Sequence, residues 1–413
     1  MVRGRHCYAR SWVTPNSSKA PPILILIGAA STGPLAMNLF VPSIPGLTRY
    51  FETDFATAQL TLTLFLVGIA LGQLIYGPIS DRYGRRPALL VGLAIYVAAS
   101  LLAVYAWRIE VLILARVLQA IGGCAGMVLG RAIVRDVYPR DRSASVLAYI
   151  MMAMAVAPAI GPSLGGLLDG WYGWHAGFWV VSAFGASVLI FTLVMLDETN
   201  SSPIDRIDVR GLISIYGSLL RSPVFMGYTL NTACTIAAFF AFLAGAPYVM
   251  IEILGHPPVV YGLYFGLISV AYILGNFVAG RISTRLGIDK MVLLGVGLAF
   301  LGAGFGLILS MIDVVTAWAI FVPFCAVAIG NGISQANGVA GAIAVDQRIA
   351  GSAAGLLGFL QMLVAGVATV AVGYFQNESS NHASAATSFA AIIAALLAYA
   401  LARAGQRRAA MDR

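Results

Sequence analysis

The chain has 413 residues, of which 60% are hydrophobic and 10% charged, with a mean hydropathy of +0.87. Soluble domains carry about 25% charged residues, so the composition excludes an ordinary water-soluble globule. The net charge of +8 does not point to nucleic acid, because the basic residues sit in short segments between apolar runs rather than on one polar face.

A bilayer core of about 30 Å takes about 20 apolar residues per helix. In chain order the sequence opens with a tail, 1–22, that carries Arg3, Arg5, Arg10 and Lys19. The apolar run behind it is too long for a signal-peptide core and is read as a retained first helix. Twelve spans are predicted, at 23–45, 57–79, 87–107, 110–134, 144–168, 175–196, 224–253, 259–281, 290–311, 315–340, 350–375 and 384–403. The polar stretch 197–222, with Asp197, Glu198, Pro203, Asp205, Arg206, Asp208 and Arg210, separates a bundle at 23–196 from one at 223–403; 404–413 is a second tail. Of the 25 Lys and Arg, all but Arg49, Arg108, Arg116 and Arg131 fall in segments on the same side as the N-terminus. By the positive-inside rule both tails and the linker are cytoplasmic. The predicted class is an all-α membrane protein of twelve transmembrane helices in two pseudo-symmetric six-helix halves.

The four cysteines make no disulfide framework: Cys7 lies in the tail, and Cys124, Cys234 and Cys325 lie in apolar runs as small packing residues. His6, His175, His256 and His382 fall in tails or loops. No metal site and no cofactor is expected. Metal-ligand spacing, a nucleophile–base–acid set and a phosphate loop are all missing from the sequence, which argues against an enzyme.

Gly77-Pro78-Ile79-Ser80-Asp81-Arg82-Tyr83-Gly84 agrees with Gly280-Arg281-Ile282-Ser283-Thr284-Arg285-Leu286-Gly287 at five of eight positions, offset by 203 residues. Both copies follow the second helix of a six-helix set, as paired halves do. Within the first copy, Gly77 lets two helices approach and Gly84 permits a tight turn. Asp81 sits among Arg82, Arg85 and Arg86, and pairing with arginines on a neighbouring helix end, with Arg135 and Asp136 close by, would latch the cytoplasmic side.

The segment Gly77 to Arg86 resembles the loop 2–3 signature of the major facilitator superfamily. Arg116-Val117-Leu118-Gln119 with Gly122, Gly123 and Gly126 resembles its helix-four signature. Pro158-Ala159-Ile160-Gly161-Pro162-Ser163-Leu164-Gly165-Gly166 is similar to the helix-five antiporter signature of drug exporters. Arg131 to Tyr138, Phe240 to Pro247 and Gly351 to Gln361 resemble the Bcr/CflA subfamily. The resemblance implies proton-driven export of drug-like molecules by alternating access, from a bacterial inner membrane, by a monomer whose partners are a small-molecule substrate, the bilayer and a coupling proton. A specific metabolite or natural-product carrier, including an uncoupled facilitator, is the alternative.

Arg116 stands on physics as well. It lies about six residues inside helix four, where an arginine costs about 2.5–3.5 kcal/mol on insertion scales, so it faces a cavity or a partner unless it snorkels. Pro158 and Pro162 remove backbone donors; Gly161, Gly165 and Gly166 make a flat face suited to packing against the other half. One departure bears on coupling. The family pattern has an acid four residues before a proline in helix one, and this chain has Asn38 before Pro42. All 17 acidic residues fall outside mid-membrane on the predicted spans, leaving no clear proton carrier. The polar and aromatic residues expected near the substrate are Asn38, Arg116, Asn231, Phe239, Tyr264, Tyr272, Asn276, Asn331, Gln335 and Gln361.

Overall fold

A computed structural model describes residues 22–138, 140–200, 209–345, 349–376 and 380–411. Most of the N-terminal tail, with its basic residues, Cys7 and His6, lies outside these, as do Asp205, Arg206 and Asp208. Among the described residues every regular element is helical, and twelve helical segments are long and apolar enough to cross a membrane.

The first span is not the single helix expected. Helix α1 (Ile23–Phe40) gives way to a 3-10 turn at Val41–Ser43 and a short α2 (Ile44–Tyr50). Pro42 and Pro45 each remove an N–H that would close an α-helical bond, and the tighter turn absorbs the loss. Spans two to six are α3 (Phe55–Tyr83), α4 (Arg85–Val104), α5 (Ile109–Val137), α6 (Arg140–Tyr172) and α7 (His175–Met195). The linker contains α8 (Val209–Arg221), which lies against the seventh and eleventh spans. Span seven is α9 (Pro223–Tyr248), started by Pro223 behind a Ser222 cap and continued by a π turn at Val249–Ile253. Spans eight to twelve are α10 (Pro258–Leu286), α11 (Ile288–Met311), α12 (Ala317–Ile343), α13 (Ala350–Phe375) and α14 (His382–Met411). The last helix therefore runs on into residues expected to form a tail.

The repeated motif keeps its geometry. Gly84 and Gly287 both take positive φ, 101° and 80°, a conformation open to glycine. Each stands between the second and third spans of its half. The amide of Gly84 donates to Ser80 O (3.1 Å), and that of Gly287 donates to Ser283 O (2.9 Å).

The halves meet where α3 packs on α13 and α6 packs on α10. Several contacts cross between them at the end that carries Glu252, and others lie nearer the opposite end, where Gln73 of α3 packs on Gly358 of α13. At the Glu252 end Arg49 Nη1 pairs with Glu252 Oε2 at 2.8 Å, and Phe55 packs on Tyr248 with ring centroids 4.6 Å apart. The two hydroxyls of Thr63 and Thr369 lie 2.7 Å apart. At the opposite end a Cβ on Gly77, or on Gly280, would meet nothing within 4 Å. The expected close helix approach at Gly77 is thus not made here, because its face looks onto open space.

Candidate functional site

Helix α6 presents two stripes, one to each side of the half–half boundary. A Cβ on Gly161 would sit 2.7 Å from Asn38 Cβ, and one on Gly165 would sit 2.0 Å from Leu39 O, both on α1 of the same half. A Cβ on Gly166 would sit 2.5 Å from Pro258 O of α10, across the boundary. Successive helical residues are rotated by about 100°, so positions 161 and 165 share one face while 158, 162 and 166 share another. This corrects the expectation of one glycine face turned to the other half. The prolines belong to the crossing stripe. Pro162 has no N–H for the carbonyl of Pro158, and that carbonyl instead accepts from Ser269 Oγ of α10 at 3.4 Å. Nearby, Ser163 Oγ donates to Gly262 O at 2.8 Å.

The charged motif at the other end gathers more partners than expected. Arg85 Nη1 lies 2.5 Å from Asp81 Oδ1, and Arg85 Nε lies 3.0 Å from Asp136 Oδ2 on α5. Glu198, just beyond α7, accepts the backbone N–H groups of Arg85 (2.9 Å) and Arg86 (3.2 Å) at the start of α4. A carboxylate there meets unpaired helix N–H groups and the positive end of the dipole. Asn200 Nδ2 donates to the carbonyl of Asp81 at 2.9 Å. Arg86 Nη2 donates to Leu193 O, and Arg82 stacks over Tyr83 instead of joining the cluster. All of these groups belong to the first half and its exit. Arg135 approaches the second half: a Cβ on Gly351, at the start of α13, would sit 3.9 Å from its Nη1. Glu198 and Asn200 were missed because they read as linker residues, and nothing local ties them to Gly84.

Arg116 neither snorkels nor reaches the space between the halves. Fully buried in the first half, it donates to Ala36 O (3.1 Å), Thr61 O (3.4 Å) and Gln119 Oε1 (2.6 Å). Its guanidinium lies 4.5 Å from the Phe40 ring centroid and 4.0 Å from that of Phe65. Gln119 passes the network on to Ser100 Oγ at 2.8 Å. Charged hydrogen bonds of about 1.5–3 kcal/mol each, with cation–π contacts of up to about 2 kcal/mol, offset the cost of burial. Gly122 allows this packing, since a Cβ there would sit 2.5 Å from Tyr96 N of α4.

Of the expected substrate residues, Phe239, Tyr272, Asn331 and Gln335 come together on one cavity of about 200 Å³. Phe240, Phe265 and Ser269 join them, and Pro158 of α6 closes one side. The others do not gather there. Asn231 donates to Ala395 O of α14 at 2.9 Å, and Asn276 donates to Tyr272 O of its own helix at 2.9 Å. Tyr264 packs against Trp318 and Phe321. Gln361 is buried on α13. Asn38 is fully buried on α1, donates to Pro34 O at 2.8 Å and rests on Gly161. Arg49 and Glu252 were not singled out by the sequence. The signal was present, since they are 203 residues apart, the offset of the repeat, so the ion pair joins equivalent positions of the two halves.

The Major Facilitator Superfamily profile matches residues 26–369. The chain belongs to this superfamily. Three bacterial relatives narrow the comparison. An uncharacterized MFS-type transporter of Bacillus subtilis, YdgK, is 31% identical over 93% of this chain and 96% of its own. Multidrug resistance protein D of Escherichia coli is 30% identical over 84% of this chain and 86% of its own. A chloramphenicol resistance protein of Pseudomonas aeruginosa is 30% identical over 81% and 79%. The fold is similar to that of an inward-facing bacterial homologue of the lysosomal transporter Spinster, with a TM-score of 0.72 at 15% identity, covering 95% of this chain and 97% of that one. The protein is thus a multi-pass membrane transporter and not an enzyme.

Proposed function

We propose that this transporter exports small amphipathic molecules from the cytoplasm by alternating access, the Asp81 end facing the cytoplasm and the Glu252 end facing out. The observation that carries the reading is an aromatic cavity at the boundary of the two halves, beneath an end held shut by contacts across that boundary. The drug-resistance relatives support the substrate class, and the Lys and Arg bias supports the orientation. The bacterial relatives also support residence in a bacterial inner membrane.

A second reading, of a carrier that does not draw on protons, is favoured by the acids. Among the described residues each carboxylate on a span lies within about one turn of a helix end, as with Asp54, Asp81, Glu110, Asp136, Asp169, Glu252 and Asp289. The helix-one position holds Asn38, whose amide does not titrate at physiological pH. Uptake of chloramphenicol and of ethidium into inside-out vesicles, with and without an imposed pH gradient, tests both readings. Uptake above that of vesicles lacking the protein supports export, and its loss on adding an uncoupler would show proton coupling. Absence of uptake for a broad panel of amphipaths would overturn the export reading.

A further inference from the structure

The cavity between α9, α10 and α12 has an uneven chemistry. Four aromatic rings, those of Phe239, Phe240, Phe265 and Tyr272, line it, and Phe239 already meets Phe240 and Phe265 edge-on, with centroids 5.7 and 6.1 Å apart. A planar solute can stack on such walls. Among them stand two amides on one face of α12, a turn apart. Asn331 is 5% exposed and donates its Nδ2 to Thr235 O of α9 at 3.4 Å. That carbonyl can only accept, so it fixes which way the amide lies. Asn331 Oδ1 then points elsewhere, buried and without a partner, and so does Gln335 Oε1. The Ser269 hydroxyl is spent on the carbonyls of Pro158 and Phe265. No Asp, Glu, Lys or Arg is among the lining residues.

Buried polar atoms in native structures are nearly always hydrogen-bonded, and the exceptions call for a reason. Two orphan acceptors on one wall, with no donor of the protein in reach, are met by a ligand that brings donors. A cation would find ring faces but only two free amide oxygens, fewer than the three oxygens that hold Arg116, and no acid lines the cavity to offset its desolvation. An anion would find no Lys or Arg on the lining and two buried acceptor oxygens set against it. We propose, building on the export reading above, that this cavity selects uncharged aromatic molecules bearing N–H or O–H donors, and that Asn331 Oδ1 and Gln335 Oε1 receive those donors. The two amides are then specificity-determining residues, and the rings supply contact area without choosing among flat solutes.

The test is equilibrium binding to the purified full-length protein with three probes. These are chloramphenicol, which is uncharged and carries an amide N–H and two hydroxyls; its analogue methylated on that nitrogen and on both hydroxyl oxygens, which keeps no donor; and ethidium, an aromatic cation. Wild type should hold chloramphenicol at least about tenfold more tightly than either of the others, since a site built for a donor leaves its acceptors unpaired when the donor is lost. Gln335→Met roughly keeps the volume of a partly buried side chain and removes the acceptor. It should weaken chloramphenicol binding while leaving the methylated analogue nearly unchanged, so that the two converge. Asn331→Leu should do the same where it folds. The proposal is overturned if ethidium or the methylated analogue binds wild type as well as chloramphenicol does. It is also overturned if Gln335→Met weakens both analogues equally, which is the mark of a merely structural role. If none of the three binds while vesicles still take up other amphipaths, the selectivity is wrong and the export reading survives. If the binding preference holds but vesicles transport nothing, the selectivity survives and the export reading fails.

Discussion

The two stripes of α6 separate stability from conformational balance, and alanine is a sufficient probe. In Gly166→Ala the new Cβ would lie 2.5 Å from Pro258 O, where ordinary contact starts at 3.4 Å. Helices α6 and α10 must part by about 0.9 Å, the difference between those two distances. Overpacking of this kind costs about 1–3 kcal/mol. Because the clash lies between the halves, the protein escapes it by opening the Glu252 end rather than by unfolding. The closed form should lose about 5- to 150-fold in population relative to the open one. Gly262→Ala, whose Cβ would lie 2.4 Å from Ser163 Cα, should behave alike. Gly165→Ala also clashes, at 2.0 Å from Leu39 O, but inside the first half, where no rigid-body motion of the halves relieves it. That variant should instead unfold at lower temperature. The assay pairs thermal unfolding in detergent with reaction of Thr63→Cys, which sits buried opposite Thr369, toward a small polar thiol reagent. Gly166→Ala should keep the parent melting temperature and label faster. If it melts early like Gly165→Ala, or labels no faster than the parent, the division of α6 into two stripes is wrong.

Three further outcomes follow from the sites. Arg116→Lys should lower stability by about 2–3 kcal/mol, because one ammonium cannot reproduce the bond from Nε to Thr61 O together with those from Nη1 to Ala36 O and Gln119, nor the planar stack between Phe40 and Phe65; an unchanged melting temperature would count against the cage. Glu198→Gln should weaken the dock on the N-terminus of α4 by about 0.5–1.5 kcal/mol and slow transport at normal membrane abundance, as measured by vesicle uptake. Asn38→Asp tests coupling: in proteoliposomes with an imposed pH gradient, only the variant should gain proton-dependent accumulation, and accumulation by wild type under the same gradient would reveal a carrier elsewhere.

Much of the fold could be read from the residues. Hydropathy fixes the number of spans because a lipid core demands length and apolarity from each, and the 203-residue offset already pairs Gly84 with Gly287 and Arg49 with Glu252. The first span broke at Pro42, and the prolines were visible, but the turn that would absorb them was not. Depth along a helix is legible from sequence, whereas direction around it is not. Arg116 shows this: its place near the start of the helix is plain from the sequence, yet it faces Phe40 and Phe65 rather than the cavity. Gly161 and Gly166 show it again, since only the placement of α1 and α10 decides which glycine serves which neighbour. Glu198 docks on a helix start 113 residues away in sequence, a long-range choice that no local pattern encodes.

Alternating access requires the Glu252 end to open in every cycle. The Arg49–Glu252 pair, with side chains 68% and 23% exposed, is worth about 0.2–1 kcal/mol, weak enough to break in turnover. Replacing both residues by cysteine and bridging them with a short bifunctional methanethiosulfonate holds the pair together by a covalent link that a reductant cleaves. Bridged protein in proteoliposomes should transport nothing, and reductant should restore the unbridged rate. Transport at full rate while bridged would contradict alternating access at this end.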